Sequence, residues 1–321
     1  MKSLFTAGLM LACATAFAQT PDTVFTADHN PFIRYKYIGD PAAMVYNNEV
    51  WLYGGHDVCP APQAYYKIDE WCVFSSKDLK TWNEYPVPLH ATDFKWAKGE
   101  AWASQVIERN GKFYWYVAVE HATIPGKAIG VAVSDSPAGP FKDARSSALI
   151  TNDMTTSRTN ISWDDIDPTV WIDDDGQAYI IWGNTQCYMA KLKENMIELD
   201  SDIMFIDLPQ FTEAPWIHKY KNTYYLSYAS EFPEKLRYAT APTINGPWTY
   251  RGILNEVAGN SNTNHQSIIN FKGKWYMIYH NGCADVNGCG YRRAVNIDRL
   301  FYNKDGSVKR IIMTTEGIWN N

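Results

Sequence analysis

The chain of 321 residues is long enough for one large domain or two smaller ones, and its 46% of hydrophobic residues allow a sizeable buried core. Its formal net charge is −6 and no run of Lys or Arg is concentrated, which excludes a nucleic-acid-binding surface and favours a neutral or weakly charged ligand. The 13 Trp and 21 Tyr residues predict aromatic packing between sheets, with a few rings left as stacking platforms for a ligand.

The N-terminal residues 1–18 have the pattern of a secretory signal peptide. A charged start precedes a short apolar stretch, and Ala16-Phe17-Ala18 forms a small-x-small cleavage site. This stretch is too short to span a bilayer and no other apolar run is long enough, so we expect no transmembrane segment. We therefore expect a secreted or periplasmic protein whose mature chain is 19–321. The residues around Cys13 are similar to a lipoprotein cleavage site, which makes a lipid anchor the alternative.

One head residue, followed about ten residues later by an aromatic-rich strand, recurs five times along the mature chain. The heads are Asp40, Trp102, Asp167, Glu213 and His265, and the strands are 50–55, 112–117, 178–183, 223–228 and 274–279. Units of about 55 residues built from strands and turns predict blades of one closed ring. The predicted fold is all-β, a five-bladed β-propeller in a single domain. A two-sheet sandwich is the alternative, but it does not explain why the heads have the same offset in successive repeats.

Segments between the repeats complete this prediction. The segments 75–85, 134–144 and 239–250 each follow a strand and reach an aromatic residue after a turn, which predicts the outer hairpin of three blades. Helical patterns are scarce, and 191–199 is the best short candidate. The long loops 56–70 and 90–100 are expected to close a pocket over the heads.

Three of the five heads are carboxylic acids. An Asp before Pro, as at Asp40 and Asp167, is commonly a turn former, whereas Glu213 lies among apolar neighbours. The repeat brings all three to one end of the ring axis, where like charges are costly unless they serve a purpose. Hydrolysis of a glycosidic bond needs one protonated and one ionised carboxyl group. The apolar neighbours favour Glu213 as the acid, while the residues alone do not separate Asp40 from Asp167 as the base.

The motifs around these heads resemble family 43 of the glycoside hydrolases over nearly the whole mature chain. They are Gly39-Asp40-Pro41-Ala42, Asp165-Ile166-Asp167-Pro168-Thr169, Thr212-Glu213-Ala214-Pro215, Asn264-His265-Gln266-Ser267, Tyr291-Arg292-Arg293 and Asp305-Gly306. The resemblance implies a five-bladed propeller and hydrolysis with inversion. It implies Asp40 as general base, Glu213 as general acid and Asp167 as the modulator of the acid's pKa.

Four further residues are predicted to bind substrate. The resemblance implies that His265 lies at the funnel floor beside a metal ion, usually calcium, with a structural or electrostatic role rather than that of a Lewis acid. It also implies that an arginine reaches the pocket, and Arg292 is the predicted one, with Arg293 as its alternative. Trp102 is expected either to face a sugar or to pack in the core. Asn184 is expected either to bond a sugar hydroxyl or to cap a turn.

The predicted function is removal of α-L-arabinofuranosyl groups from arabinoxylan or related plant polysaccharides and oligosaccharides. A β-D-xylosidase of the same fold is the alternative, since the two sugars present similar hydroxyl patterns. A carbohydrate-binding propeller without catalysis is a third hypothesis. Aromatic rings and Asn side chains suffice for binding, whereas three converging carboxyl groups are needed only for hydrolysis.

Overall fold

The computed structural model describes residues 19–60, 65–282 and 289–319. The predicted signal peptide and Cys13 lie outside these described residues, so the export of the protein stays a prediction. Within the described ranges, no helix has both the length and the apolar character needed to cross a membrane.

The strands form five antiparallel sheets, which are the blades of a five-bladed β-propeller and confirm the predicted fold. Blade I contains β1 (Thr23–Thr26), β2 (Ile38–Tyr46), β3 (Glu49–Asp57), β4 (Ile68–Ser76), β5 (Thr81–Glu84) and β6 (Leu89–His90). Blade II contains β7 (Ala97–Gly99), β8 (Ser104–Arg109), β9 (Lys112–His121), β10 (Lys127–Ser134), β11 (Lys142–Asp143) and β12 (Ile150–Thr151).

The other three blades are smaller. Blade III contains β13 (Thr169–Ile172), β14 (Ala178–Trp182), β15 (Cys187–Leu192) and β16 (Met204–Ile206). Blade IV contains β17 (Phe211–Tyr220), β18 (Thr223–Ser230), β19 (Lys235–Ala241) and β20 (Thr249–Asn255). Blade V contains β21 (Gln266–Phe271), β22 (Lys274–Asn281) and β23 (Ala294–Leu300). Two single-turn 3₁₀ helices cover Ala91–Asp93 and Asn152–Met154.

The five aromatic-rich runs of the sequence coincide with the second long strand of each blade, namely β3, β9, β14, β18 and β22. These strands are buried on both faces because a neighbouring blade packs on each side, so they read as nearly continuous apolar runs. In β14, for example, every residue of AYIIW is buried. The head residues lie in or just before the first long strand of each blade.

Apolar clusters join each blade to the next. Tyr53 and Trp115 meet between blades I and II, and Leu52 packs in one cluster with Ile278 between blades V and I. This last cluster closes the ring, because it joins the beginning of the chain to its end.

The segment before β2 also seals the ring through hydrogen bonds to β23. The Phe32 amide donates to the Val295 carbonyl at 3.0 Å. The Asn30 side chain accepts from the Ile297 amide at 2.9 Å and donates to the Ile297 carbonyl at 3.1 Å. The edge of blade V is therefore covered by backbone and amide groups, which removes an exposed strand edge.

The predicted helix over 191–199 is wrong. Strand β15 continues to Leu192, and the following residues form a tight turn in which the Lys193 amide donates to the Glu198 carbonyl at 2.8 Å. Met196 at the tip of this turn is fully buried between blades II and III. A nine-residue helix is marginal on its own, and burial of the Met196 side chain stabilises the turn instead.

Candidate active site

A cavity of about 500 Å³ brings together four of the five predicted heads, Asp40, Trp102, Asp167 and Glu213. The fifth head, His265, is buried next to them, with Nδ1 3.5 Å from Asp40 Oδ1 and 4.0 Å from Asp167 Oδ2. The volume suits a small ligand such as a sugar unit with part of its neighbour. The convergence expected from the repeat is therefore present in the structure.

Two of the acidic heads have a strained backbone. Asp40 has φ of 51° and Asp167 has φ of 56°, a left-handed conformation that costs a non-glycine residue about 1–2 kcal/mol. At Asp40 the strain coincides with a β-bulge between Gly39 and Ala42, which turns the side chain off the sheet and into the cavity. Strain of this kind persists where surrounding contacts hold it, and it clusters at functional sites.

The Asp40 carboxylate is surrounded by basic groups. The Arg293 guanidinium donates through Nη1 to Asp40 Oδ1 at 2.5 Å, and His265 and His280 each place Nδ1 3.5 Å from the same oxygen. Burial opposes ionisation, but Arg293 and the two imidazoles lower the pKa of Asp40 to about 2. His280 also accepts a hydrogen bond from the Asp40 amide at 3.1 Å, which holds the strained backbone. Asp40 is therefore a carboxylate at neutral pH.

Arg293 is held in place by a second carboxylate. Its Nε and Nη2 donate to Asp57 Oδ2 and Oδ1, each at 2.9 Å, and both side chains are almost completely buried. Gly39 permits this approach, because a Cβ atom there would lie 2.1 Å from the Arg293 Cζ. The cation is thus shared between Asp57 and Asp40 in a fixed geometry.

The structure places Arg293 in the cavity and turns Arg292 away from it, which corrects the choice made from the sequence. Arg292 donates through Nε to the Cys59 carbonyl at 3.0 Å and through Nη2 to the Pro60 carbonyl at 2.6 Å. Successive side chains of an extended segment leave on opposite sides, so only one of two adjacent arginines can face the ring axis. The sequence did not show which one does.

Glu213 has the opposite environment. Asn184 donates through Nδ2 to Glu213 Oε2 at 2.6 Å, so the predicted sugar-binding amide also orients the predicted acid. Burial raises the pKa of Glu213, and the negative charge of Asp40 raises it further, while the Asn184 hydrogen bond lowers it in part. Glu213 therefore tends to keep its proton in the cavity where Asp40 has lost one.

Asp167 is buried in the same cavity and interacts electrostatically with both of these carboxyl groups. Its Oδ2 accepts a hydrogen bond from the Ala214 amide at 3.0 Å, which links blade III to the residue that follows Glu213. Burial raises the pKa of Asp167 well above its usual range, and the charges of Glu213 and Asp40 add to this effect. Because three close carboxyl groups cannot all ionise at low cost, the site retains protons at neutral pH.

The segment that carries Asp167 is anchored by two buried acids. Asp164 accepts a hydrogen bond from the Tyr188 hydroxyl at 2.7 Å, and Asp165 accepts one from Trp182 Nε1 at 2.8 Å. Both partners belong to blade III, so the loop before β13 is fixed to the blade whose first strand it begins.

Trp102 forms one wall of the cavity. Lys127 lies over its ring, with Nζ 3.6 Å from the centroid, and this ammonium is paired with Glu100 and Glu120. Further rings continue the wall and rim, and they belong to Tyr65, Tyr66, Trp163, Phe232 and Tyr291. An ion pair behind Trp102 fixes the indole, and the rings around it offer apolar faces to a sugar.

The loops around the cavity differ in part from those expected. The described part of the loop 56–70 contributes Tyr65, Tyr66 and Ile68, as predicted. The loop 90–100 does not line the cavity, because its Trp96 packs on Phe94 and His121 within blade II.

Further residues of the site were not predicted, notably His280 and Glu234, whereas Arg293 was named only as the alternative to Arg292. Glu234 lines the cavity and shares a side-chain hydrogen bond with Glu213. In the sequence Glu234 follows a proline in a polar turn, a pattern typical of an exposed loop. Only its burial, with 1% of its surface exposed, distinguishes it.

The imidazole of His265 is compatible with a hydrated calcium ion. Burial lowers the pKa of His265 to about 4, so the ring is neutral and one nitrogen can act as a ligand. The buried Thr169 Oγ1 at the start of β13 and Ser267 Oγ, two residues after His265, have no hydrogen-bond partner among the described residues. Calcium prefers oxygen ligands, including water.

Comparison with known proteins shows the family to which the chain belongs. Residues 29–308 match the family model described as glycosyl hydrolases family 43. The chain belongs to this family. Family 43 membership agrees with the motifs seen in the sequence and with the propeller fold.

Relatives within family 43 cover most of the chain. A xylosidase/arabinosidase of Bacteroides ovatus is 31% identical, over 88% of this chain and 95% of its own length. The solved structure of an α-L-arabinofuranosidase from Clostridium thermocellum is 36% identical, with a TM-score of 0.75, and the match covers 86% of this chain and 94% of that one. The structure of a β-xylosidase/α-arabinofuranosidase from a compost microbial metagenome was solved with xylotriose in a calcium-free form. It is 28% identical with a TM-score of 0.80, and the match covers 90% of this chain and 98% of that one.

Proposed function

We propose that this family 43 enzyme removes α-L-arabinofuranosyl groups from arabinoxylan or related plant polysaccharides and oligosaccharides, with inversion at the anomeric carbon. The observation that carries the proposal is one cavity in which Asp40 contacts the Arg293 guanidinium while Glu213 contacts the Asn184 amide, an arrangement that favours an ionised Asp40 and a protonated Glu213. Hydrolysis of a glycosidic bond needs these two states at the same time.

In this mechanism Asp40 is the general base. The contacts from Arg293, His265 and His280 all converge on Asp40 Oδ1, which leaves Oδ2 to accept a proton from water. The water then attacks the anomeric carbon from the face opposite the leaving oxygen. Inversion requires room for this water, and we expect about 6.5–9.5 Å between the two carboxyl groups when substrate is bound.

Glu213 is the general acid. It gives its proton to the glycosidic oxygen as the bond to the anomeric carbon breaks, so the leaving sugar departs as a neutral alcohol. Asn184 fixes the orientation of the Glu213 carboxyl, and we expect Asp167 to modulate the pKa of this acid, because the ionisation of Glu213 and that of Asp167 are coupled. Trp102 and the neighbouring rings hold the sugar, and their apolar faces suit an uncharged substrate.

A β-D-xylosidase is the second candidate. The relatives above include enzymes described as acting on both kinds of glycoside, and one neighbour was solved with xylotriose. The same three carboxyl groups serve both reactions, since the distinction lies in how the cavity wall meets the sugar hydroxyls.

Two further features belong to the proposal. We expect the enzyme to act outside the cytoplasm, as the N-terminal segment suggests. We also expect His265 to hold a calcium ion through one nitrogen, with water molecules as the other ligands; such an ion supplies positive charge beneath the site and takes no part in proton transfer.

The test is hydrolysis of the p-nitrophenyl α-L-arabinofuranoside and β-D-xyloside by the purified mature protein. We expect a clear preference for the arabinofuranoside, and proton NMR of an early time point should show the inverted anomer. Preference for the xyloside would support the second candidate instead. Failure to release either sugar, from these substrates or from arabinoxylan, would contradict the proposed function.

A further inference from the structure

We propose that Glu234 shares one proton with Glu213 across a direct hydrogen bond between their carboxyl groups, and that Glu234 is a positioning residue for the acid. This inference rests on the proposed function of Glu213. It adds a fourth carboxyl group to the three that the sequence motifs identify.

The position of Glu234 is unusual for a residue in a turn. It lies between β18 and β19, yet only 1% of its surface is exposed and it lines the cavity. Glu231 in the same turn is the natural comparison, because its carboxylate points outward to Arg237 at 2.7 Å and to Lys235 at 3.3 Å. One glutamate of this turn therefore meets cations at the surface, and the other meets an acid in the cavity.

Backbone groups of the next blade hold Glu234 in place. Its amide donates to the Asn262 carbonyl at 2.9 Å, and its Oε2 accepts from the Asn264 amide at 2.8 Å. Both partners belong to the segment that leads into β21. The carboxyl is thus fixed by two blades before any substrate arrives, as preorganisation of a site requires.

The charges around the pair are mostly negative. Asp167 and Asp40 act on the pair from blades III and I, and the Arg293 guanidinium, which opposes them, is committed to Asp40 and Asp57. Burial raises the pKa of Glu234 well above its usual range, and the charge of Glu213 raises it further. Two hydrogen-bonded carboxyl groups in such a place do not both ionise, so they titrate as a pair with one tightly held proton.

This arrangement has a consequence for the reaction. When the proton resides on Glu213, the ionised Glu234 accepts its hydrogen bond and opposes loss of the proton to solvent. Because loss of the last proton would leave two negative charges side by side, the pair holds this proton at a pH where an isolated glutamic acid would be ionised, and Glu213 can take it up for the reaction. The proton passes to the glycosidic oxygen, and it is replaced from solvent after product release, so that each turnover consumes and restores one proton.

The first experiment compares Glu234→Gln with the matched control Glu231→Gln. Glu234→Gln replaces the pair by a single acid, so the proton that the pair holds most tightly is no longer retained by two adjacent carboxyl groups, and the alkaline limb of kcat/KM should move to lower pH by about one unit or more. The control should keep the wild-type profile. At neutral pH, Glu234→Gln should lose more activity on substrates with an alkyl or oligosaccharide leaving group than on a dinitrophenyl glycoside, because dinitrophenol departs without acid assistance.

The second experiment does not depend on activity. In protein labelled with ¹³C at the glutamate carboxyl carbon, NMR titration should show two glutamates with raised, coupled pKa values, and Glu213→Gln should lower the pKa that remains. If this substitution leaves every other glutamate titration unchanged, the pairing is wrong even in an active enzyme. The pairing is equally wrong if Glu234→Gln folds normally, by thermal unfolding, and keeps the alkaline limb of the wild type.

The two experiments separate the two proposals. Coupled titration in a protein that hydrolyses no glycoside would uphold the carboxyl pair and contradict the proposed function. An active enzyme without coupled titration would uphold the proposed function and contradict the carboxyl pair.

Discussion

Asp40 and Glu213 line the same cavity, yet their surroundings drive them to opposite protonation states. Asp40 meets the Arg293 guanidinium and two imidazoles, and its pKa falls to about 2. Glu213 meets an amide and further carboxyl groups, and its pKa rises. Burial opposes ionisation at both positions, so burial does not explain the difference. The charges of the neighbouring groups decide which carboxyl is the base and which is the acid.

The difference follows from the order of the blades. Blade V lies beside blade I because the ring closes there, and it supplies Arg293 and His280 to Asp40. Glu213 on blade IV instead interacts with Asp167 of blade III and with Glu234, which lies in the turn between β18 and β19 of blade IV itself. Closure of the propeller therefore produces the asymmetry between the two carboxyl groups.

The largest effect should come from removing the base. Asp40→Asn should lower kcat by about 10⁴-fold, at the upper end of what a general base contributes, because the amide cannot accept a proton from water. Steady-state kinetics on the preferred glycoside would measure this, with Asp207→Asn at the surface as control. Circular dichroism should show an intact fold, and a folded variant that keeps a tenth of the activity would remove Asp40 from this role.

Substitution of the acid should give a smaller loss that depends on the substrate. Glu213→Gln should lower kcat by about 10²–10³-fold for an oligosaccharide, but much less for a dinitrophenyl glycoside. A series of aryl glycosides measures this as a steeper dependence on the pKa of the leaving group. An equal loss across the whole series would contradict a role in proton donation.

The two adjacent arginines test the origin of the low pKa of Asp40. In Arg293→Ala the carboxyl loses its cation, so its pKa should rise and the acid limb of kcat/KM should move to higher pH, since the base works only when ionised. Stability should fall by about 3–5 kcal/mol because Asp57 is left buried without its partner. Arg292→Ala is the control and should leave the acid limb in place; if it moved the limb instead, the assignment from the structure would be reversed.

Among these changes, removal of calcium should have the smallest effect on activity and stability. Removal of calcium with a chelator should lower the melting temperature or kcat by a modest amount, and added calcium should restore it. His265→Ala should abolish the response to calcium, as isothermal titration of the variant with calcium would show. Binding of equal affinity in the variant would exclude His265 as a ligand.

Much of the fold and part of the site could be predicted from the sequence. Strands buried on both faces produce apolar runs, and a repeated blade places equivalent residues in equivalent positions, so the five heads were visible as a pattern. The turn at 193–198 was not, because the spacing of apolar residues in so short a segment fits a helix and a strand end equally well. The sequence does not distinguish Arg293 from Arg292, because two identical neighbouring residues give no indication of which side chain faces the cavity.

Glu234 shows most clearly what the sequence does not contain. Its local sequence is that of a surface turn, and the similar Glu231 of the same turn is indeed paired with surface cations. The inward direction of Glu234 depends on backbone partners in blade V, at Asn262 and Asn264, some thirty residues away. Such contacts exist only once the blades are assembled.

The sequence by itself determined the repeat, the all-β ring, the family and the three acidic heads, because each of these depends on local pattern and on spacing along the chain. The tertiary structure alone decided the charge that each head carries. A pKa depends on groups within a few ångströms, and in a closed ring those groups come from other blades and from the two ends of the chain.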